Sequence, residues 1–240
     1  MMQQIQRKED GFGGPLSSWT DSSSMFSDPS GDSILPIDDD LWNQDVQSHA
    51  PLLSSPPTET MGRYCLTAQS AILLGRVFRN IHDYSNIDGL RDQEAKALES
   101  ALIALTNVSL QEGRSRGIVL CSPTTICFSA RLLLHDKERH PTRTDTDTIS
   151  RTNFQHVSSD IAEYMRSLSM ALLSKGCRLA EEASPLCLEA MYRSGIVYAR
   201  RYSETSDPGD LDAFETIKIG LQVMGVRWRL AASYIEMLDA

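Results

Sequence analysis

No two cysteines in this sequence lie close enough to share a metal or a tight turn. Cys65, Cys121, Cys127, Cys177 and Cys187 are odd in number, and their nearest spacings are C-x5-C and C-x9-C. That pattern supplies neither a disulfide framework nor a zinc module, and it suits reduced thiols inside a cell. Positive charge is also scarce. With 23 Lys and Arg against 32 Asp and Glu, the net charge is −9 and the sequence pI about 5.0. Such a chain has no cationic footprint for a phosphate backbone, so direct DNA binding is not expected of it. Long apolar runs are missing as well. Nothing approaches the ~18 uninterrupted apolar residues of a spanning helix, and Met1 to Asp10 has no apolar signal region, so no membrane segment is expected. The sequence also has no G-x-S-x-G elbow, Walker loop, G-x-G-x-x-G or H-E-x-x-H, so it yields no catalytic, cofactor-binding or metal residues.

What is present falls into two kinds of material. Residues 1–60 carry ten acidic and two basic side chains, leaving 22 and 21 for the rest of the chain. The first part is rich in Ser, Pro and Gly and poor in aliphatic runs, so burial cannot offset its ordering entropy. A disordered acidic leader is expected over residues 1–33. Within residues 17–45, Trp19, Met25, Phe26, Ile34, Leu35, Leu41 and Trp42 are scattered among Ser and Asp. Two readings stand: an acidic activation segment with exposed apolar anchors, or a solvated leader with one docked piece.

From residue 62 onward the apolar period is helical. Gly62–Asp83 carries Cys65, Leu66, Ile72, Leu73, Val77 and Ile81. Leu90–Gln111 places Ala95, Leu98, Leu102, Leu105 and Val108 at steps of three and four, with Arg91, Glu94, Lys96 and Glu99 on the remaining face. Ser122-Pro123 reads as a cap followed by a first helical position, before a run ending in Leu132-Leu133-Leu134-His135-Asp136. A fourth pattern runs from about Ser150 to Glu182, with Gly176 as a candidate break. Ser184-Pro185 opens a fifth, and Ser206-Asp207-Pro208-Gly209 closes it. The last, Leu211–Leu238, aligns Phe214, Ile217, Leu221, Met224, Trp228, Ala231 and Ile235 on one stripe, with Gly220 and Gly225 weakening its continuity. The expectation is an all-α protein of about six helices, without a fixed-period repeat.

Two polar clusters invite a metal reading. His135, Asp136, Glu138 and His140 place two histidines five apart, whereas helical ligands need four, and Pro141 follows at once. A polar helix end is the better reading. Asp38-Asp39-Asp40 is read as a solvated acidic run, since neighbouring side chains of an extended segment point apart.

Taken in order, Leu35-Pro36-x-Asp38-Asp39-x-x-Trp42, Met61-Gly62, Ala71-Ile72-Leu73-Leu74-Gly75-Arg76-Val77, Leu132 to Asp136, and Trp228-Arg229-Leu230-Ala231 with Tyr234-Ile235 resemble the fungal-specific transcription factor domain. That domain is the helical regulatory region of fungal binuclear zinc-cluster factors. The resemblance covers Ile34 to Ala240, read as a partial regulatory domain over residues 34–240, its C-terminal half. It implies a transcription regulator in the nucleus, acting through other transcription factors, co-regulators, a homodimer partner or a small-molecule effector. The family-motif residues Leu35, Pro36, Asp38, Asp39, Trp42, Gly62, Gly75, Arg76, His135, Asp136, Trp228 and Tyr234 are expected to be structural. The family's six-cysteine zinc cluster is not in this sequence, so zinc is expected only in that absent module. A truncated fragment or helical scaffold without independent activity is the alternative, and an enzyme with a hidden site the least favoured.

Overall fold

The computed structural model describes residues 33–36, 51–56, 61–82, 90–115, 117, 122–136, 148–175 and 183–240. Among them the chain is all-helical. Seven helices follow one another: α1 (Arg63–His82), α2 (Leu90–Ser115), α3 (Ser122–Leu134), α4 (Thr148–Lys175), α5 (Cys187–Thr205), α6 (Pro208–Gly225) and α7 (Leu230–Asp239). Extended pairing among the described residues is limited to one isolated antiparallel bridge, Ile34 with Leu52. None of the described helices is long and apolar enough to cross a membrane.

The described residues divide into two compact units, one drawn from residues 33–161 with 184–190, the other from 162–183 and 191–240. In the first unit α1, α2 and α3 pack against one another. Their shared core contains Cys65, Leu66, Val77, Leu98, Leu102, Leu105, Cys127 and Leu133, all essentially inaccessible. α2 buries the stripe that its period of three and four requires, whereas twelve of the thirteen residues of α3 are buried. Being enclosed on nearly every side, α3 cannot show the one-faced pattern of a surface helix. Polar groups inside this layer are paired across helices. Ser109 and Thr124 hydroxyls lie 2.7 Å apart, and Arg63 Nη2 donates to Ser122 Oγ at 3.3 Å. Where α1 ends, Arg91 reaches from α2 and donates to the Ile81 carbonyl at 3.2 Å, satisfying an acceptor that the last turn leaves open.

The first described residues join this same core. Leu35 is buried in it, and its amide donates to the Pro51 carbonyl at 2.8 Å while Leu53 donates to Ser33 at 2.8 Å. Leu35 is thus packed on the helices, while Pro36 beside it is exposed. Residues 1–32 of the acidic leader, and Asp38 to Trp42 of the Leu35-Pro36 motif, lie outside the described residues.

The second unit is built on α6. Its buried face, Ala213, Phe214, Ile217, Gly220, Leu221 and Met224, follows the helical period. Its start is set by Asp207, whose extended backbone precedes Pro208 at the first helical position and whose Oδ1 accepts from the Gly209 amide at 2.9 Å. Just before it, Ser206 adopts φ 56°, the left-handed turn that ends α5. The expected single helix Leu211–Leu238 is two helices. After Gly225 the chain turns through Val226 to Arg229, and α7 packs back on α6, so that a Cβ on Gly225 would sit 3.8 Å from that of Ala231. Lys218 on α6 closes the pair through Asp239 of α7 at 2.6 Å. The stripe thus spans a corner: Phe214, Ile217, Leu221, Met224 and Ala231 are buried, while Trp228 and Ile235 are half-buried.

Candidate functional site

The most elaborate polar constellation of the first unit joins α2 to the end of α3. Arg131 and His135 are four residues apart and share one face of α3, directed at Glu99 of α2. Arg131 donates from Nε at 3.0 Å and from Nη2 at 2.8 Å to Glu99 Oε1, and His135 Nε2 stands 3.1 Å from Glu99 Oε2. Burial by itself would raise the Glu99 carboxyl. The hydrogen bonds and positive charge of His135 and Arg131 outweigh that, and hold it below the ordinary carboxylate range. Asp136, next in sequence, is buried and its amide donates to the Leu133 carbonyl at 3.2 Å. This pattern ties one helix terminus to its neighbour.

A second network lies in the other unit. Arg166 holds Glu163 with two hydrogen bonds, at 2.9 Å and 2.7 Å, and the Tyr198 hydroxyl donates to the same carboxylate at 3.1 Å. Burial pushes the Tyr198 phenol up to about 12, helped by the negative charge of Glu163. The Arg201 guanidinium lies 5.6 Å from the Tyr198 ring centre and pairs with the buried carboxylate of Asp210 at 2.8 Å.

The motif residues named from the sequence distribute over both units. Leu35 and Gly62 are buried, Pro36 is exposed, and the Gly62 carbonyl accepts from Leu66 at the start of α1. Gly75 and Arg76 are exposed, with Arg76 Nη2 3.6 Å from Glu94 Oε1. His135 and Asp136 form the helix tie just described. Trp228 donates from its indole to the Ala183 carbonyl at 3.2 Å, with the Arg227 guanidinium 4.8 Å from its ring centre. Tyr234 stacks on Tyr192 at 4.8 Å. Asp38, Asp39 and Trp42 lie outside the described residues.

Glu99, Arg131, Glu163, Tyr198 and Asp210 were not singled out from sequence. A signal existed for one of them: Arg131 is the one charge in the run Phe128–Leu134, and a cation on an enclosed helix needs a carboxylate. Among the described residues no group of three or more His, Cys, Asp or Glu is placed to hold a metal ion. No family model, curated protein or solved structure matches this chain.

Proposed function

We propose that this chain is a transcription regulator of the fungal-specific transcription factor domain type, working in the nucleus through protein or small-molecule contacts rather than by reading DNA. One observation carries the reading: five motifs occur in the sequence in that family's order. Met61-Gly62 leads into α1, Arg76 lies on it, the Leu98, Leu102, Leu105 stripe forms the buried face of α2, Leu132 to Asp136 closes α3, and Trp228 and Tyr234 frame the start of α7. The charge supports the negative half of the proposal, since a chain at −9 repels a phosphate backbone.

A tethering assay tests it. Fused to an unrelated DNA-binding module at a reporter promoter, the full chain is expected to raise or lower transcription severalfold, while alone it gives no gel shift at low salt below micromolar concentration. A fusion with no effect on the reporter, or retention of DNA by the isolated chain, overturns the proposal.

A further inference from the structure

α7 lacks the start and stop chemistry that its neighbour α6 carries. α6 opens on the Asp207 cap, with Pro208 at its first position and Asp210 in its first turn. α7 has no side-chain cap. Arg229 stands at that position with helical backbone, φ −54° and ψ −30°, and neither an acid in the first turn nor a base in the last turn supports the helix dipole. The charges that are present run the wrong way: Arg229 is exposed at the positive end with Arg227 behind it, while Glu236 and Asp239 are exposed at the negative end. Ten residues are also fewer than the ~12–15 at which an isolated helix becomes even marginal in water. α7 is therefore a helix by virtue of what it rests on.

Its supports come from α5 and α6. Leu238 is 2% exposed and lies over Gly195 of α5, where a Cβ would stand 3.1 Å and 3.2 Å from the two Leu238 methyls and 3.5 Å from Ile217 Cγ2. Bare glycine backbone is thus the socket for the leucine. Tyr234 stacks on Tyr192, also of α5, with ring centres 4.8 Å apart and planes within 13°. Tyr234 and Leu238 are four apart on α7 and Tyr192 and Gly195 three apart on α5, so both seats share one face of each helix. On the α6 side Lys218 reaches Asp239 at 2.6 Å, which also neutralises the acid at the unfavourable end. Ala231 and Leu238 are the buried residues of α7; α6 buries eight.

We propose that α7 is a strap, a docked helix that lifts from α5 and α6 as one piece while both stay folded, with Leu238 in the Gly195 socket as its latch and the Lys218–Asp239 pair as its clasp. The Gly225 corner, where Ala231 returns onto α6, is the pivot. Lifting parts α7 from Tyr192, Gly195 and Ile217, an apolar seat that the closed strap fills.

The reversed charges are the reason for the device. A helix built to stay would carry them in the favourable order, as α6 does at its start. Elements held by few contacts open at the low end of a protein's range of local stabilities, without waiting for global unfolding. Nothing in this depends on the transcriptional reading.

Native-state hydrogen exchange of the full chain in rising sub-denaturing urea tests it. The amides of Tyr234 to Leu238 should share one protection factor, exchange about a hundredfold or more faster than those of Ile217 and Leu221, and respond weakly to urea, because little surface is exposed when the strap lifts. Leu238→Ala should leave α7 unprotected while α6 stays protected. The double variant Arg229→Asp with Glu236→Lys, both at exposed positions, sets the charges the favourable way and should slow exchange in α7 by roughly threefold to thirtyfold. Protection in α7 equal to that of α6 with the same urea dependence, protection that merely grades away toward Ala240 as in end fraying, an α6 that loses its protection together with α7 in Leu238→Ala, or a double variant that opens as fast as the wild type overturns the proposal.

Discussion

Gly220 and Gly75 are both helix-interior glycines, and the structure gives alanine opposite effects at the two. On Gly220 a Cβ would stand 2.6 Å from Ser169 Oγ, 2.7 Å from Ser169 Cβ and 2.8 Å from Met191 Cε. The methionine terminus can swing aside. Ser169 Cβ cannot, since it is fixed to α4, is wholly buried, and its hydroxyl is held by the Met165 carbonyl at 3.0 Å. Carbon atoms rest at about 3.5–4.0 Å, so α4 and α6 would have to part by roughly 1 Å. Overpacking of that kind costs about 1–3 kcal/mol, against which alanine's better helix propensity returns about 1 kcal/mol. Gly220→Ala should therefore lose up to about 2 kcal/mol, whereas Gly75→Ala, with open space around it, should gain about 0.5–1 kcal/mol. Urea unfolding of dilute protein, followed by circular dichroism, measures both. Adding Ser169→Gly to Gly220→Ala should recover part of the loss, as expected of neighbours in contact. A Gly220→Ala protein as stable as Gly75→Ala would refute the close approach.

The Glu99 carboxyl is held below its unfolded value, so the stability it contributes is complete above that value and is lost as pH falls through the folded one. Glu99→Gln should flatten the acid limb of a stability profile below about pH 4.3 and cost on the order of 1–3 kcal/mol at neutral pH by leaving Arg131 without its carboxylate; an unchanged limb would show the tie to be idle. Trp228 caps a corner and is half-buried, so Trp228→Phe should lose only the indole bond to Ala183, about 0.5–1.5 kcal/mol, while Leu221→Ala in the core beneath should lose about 2–5 kcal/mol. Equal losses in denaturant titrations would return Trp228 to the core. Asp207→Ala should cost about 0.5–2 kcal/mol through the lost cap of α6, visible as faster amide exchange over Gly209 to Leu211.

The helices and their breaks were legible because local chemistry decides them. Asp207-Pro208 sets a start, and the buried stripes of α2 and α6 are the apolar ones that the period marks. The corner itself was not legible, since Phe214 to Ile235 keeps its spacing through the turn and only the return of Ala231 onto Gly225 reveals it. Pairings between helices were hidden for a different reason. Glu99 looks like any solvated acid of α2 until α3 brings Arg131 and His135 to it, and Tyr198 meets Glu163 across 35 positions of sequence. Spacing along one helix carries no information about which neighbour will arrive. The family resemblance drew on short ordered motifs, and it remains a proposal about function rather than a property of the packing.

The buried thiols have a practical consequence. Burial raises Cys65 to about 11 and Cys187 to about 12, the latter despite a backbone hydrogen bond that pulls the other way. At pH 7 the thiolate, which is the reactive form, is then on the order of one part in 10⁴ and 10⁵ respectively. Alkylating reagents must wait for the surrounding helices to open, and Cys65, Cys127 and Cys187 all belong to the first unit. Their labelling rates make that unit its own clock: modification proceeds at the pace of opening, and mass spectrometry of each cysteine peptide would time the loosening of α1, α3 and the start of α5 separately, with no foreign probe in the core.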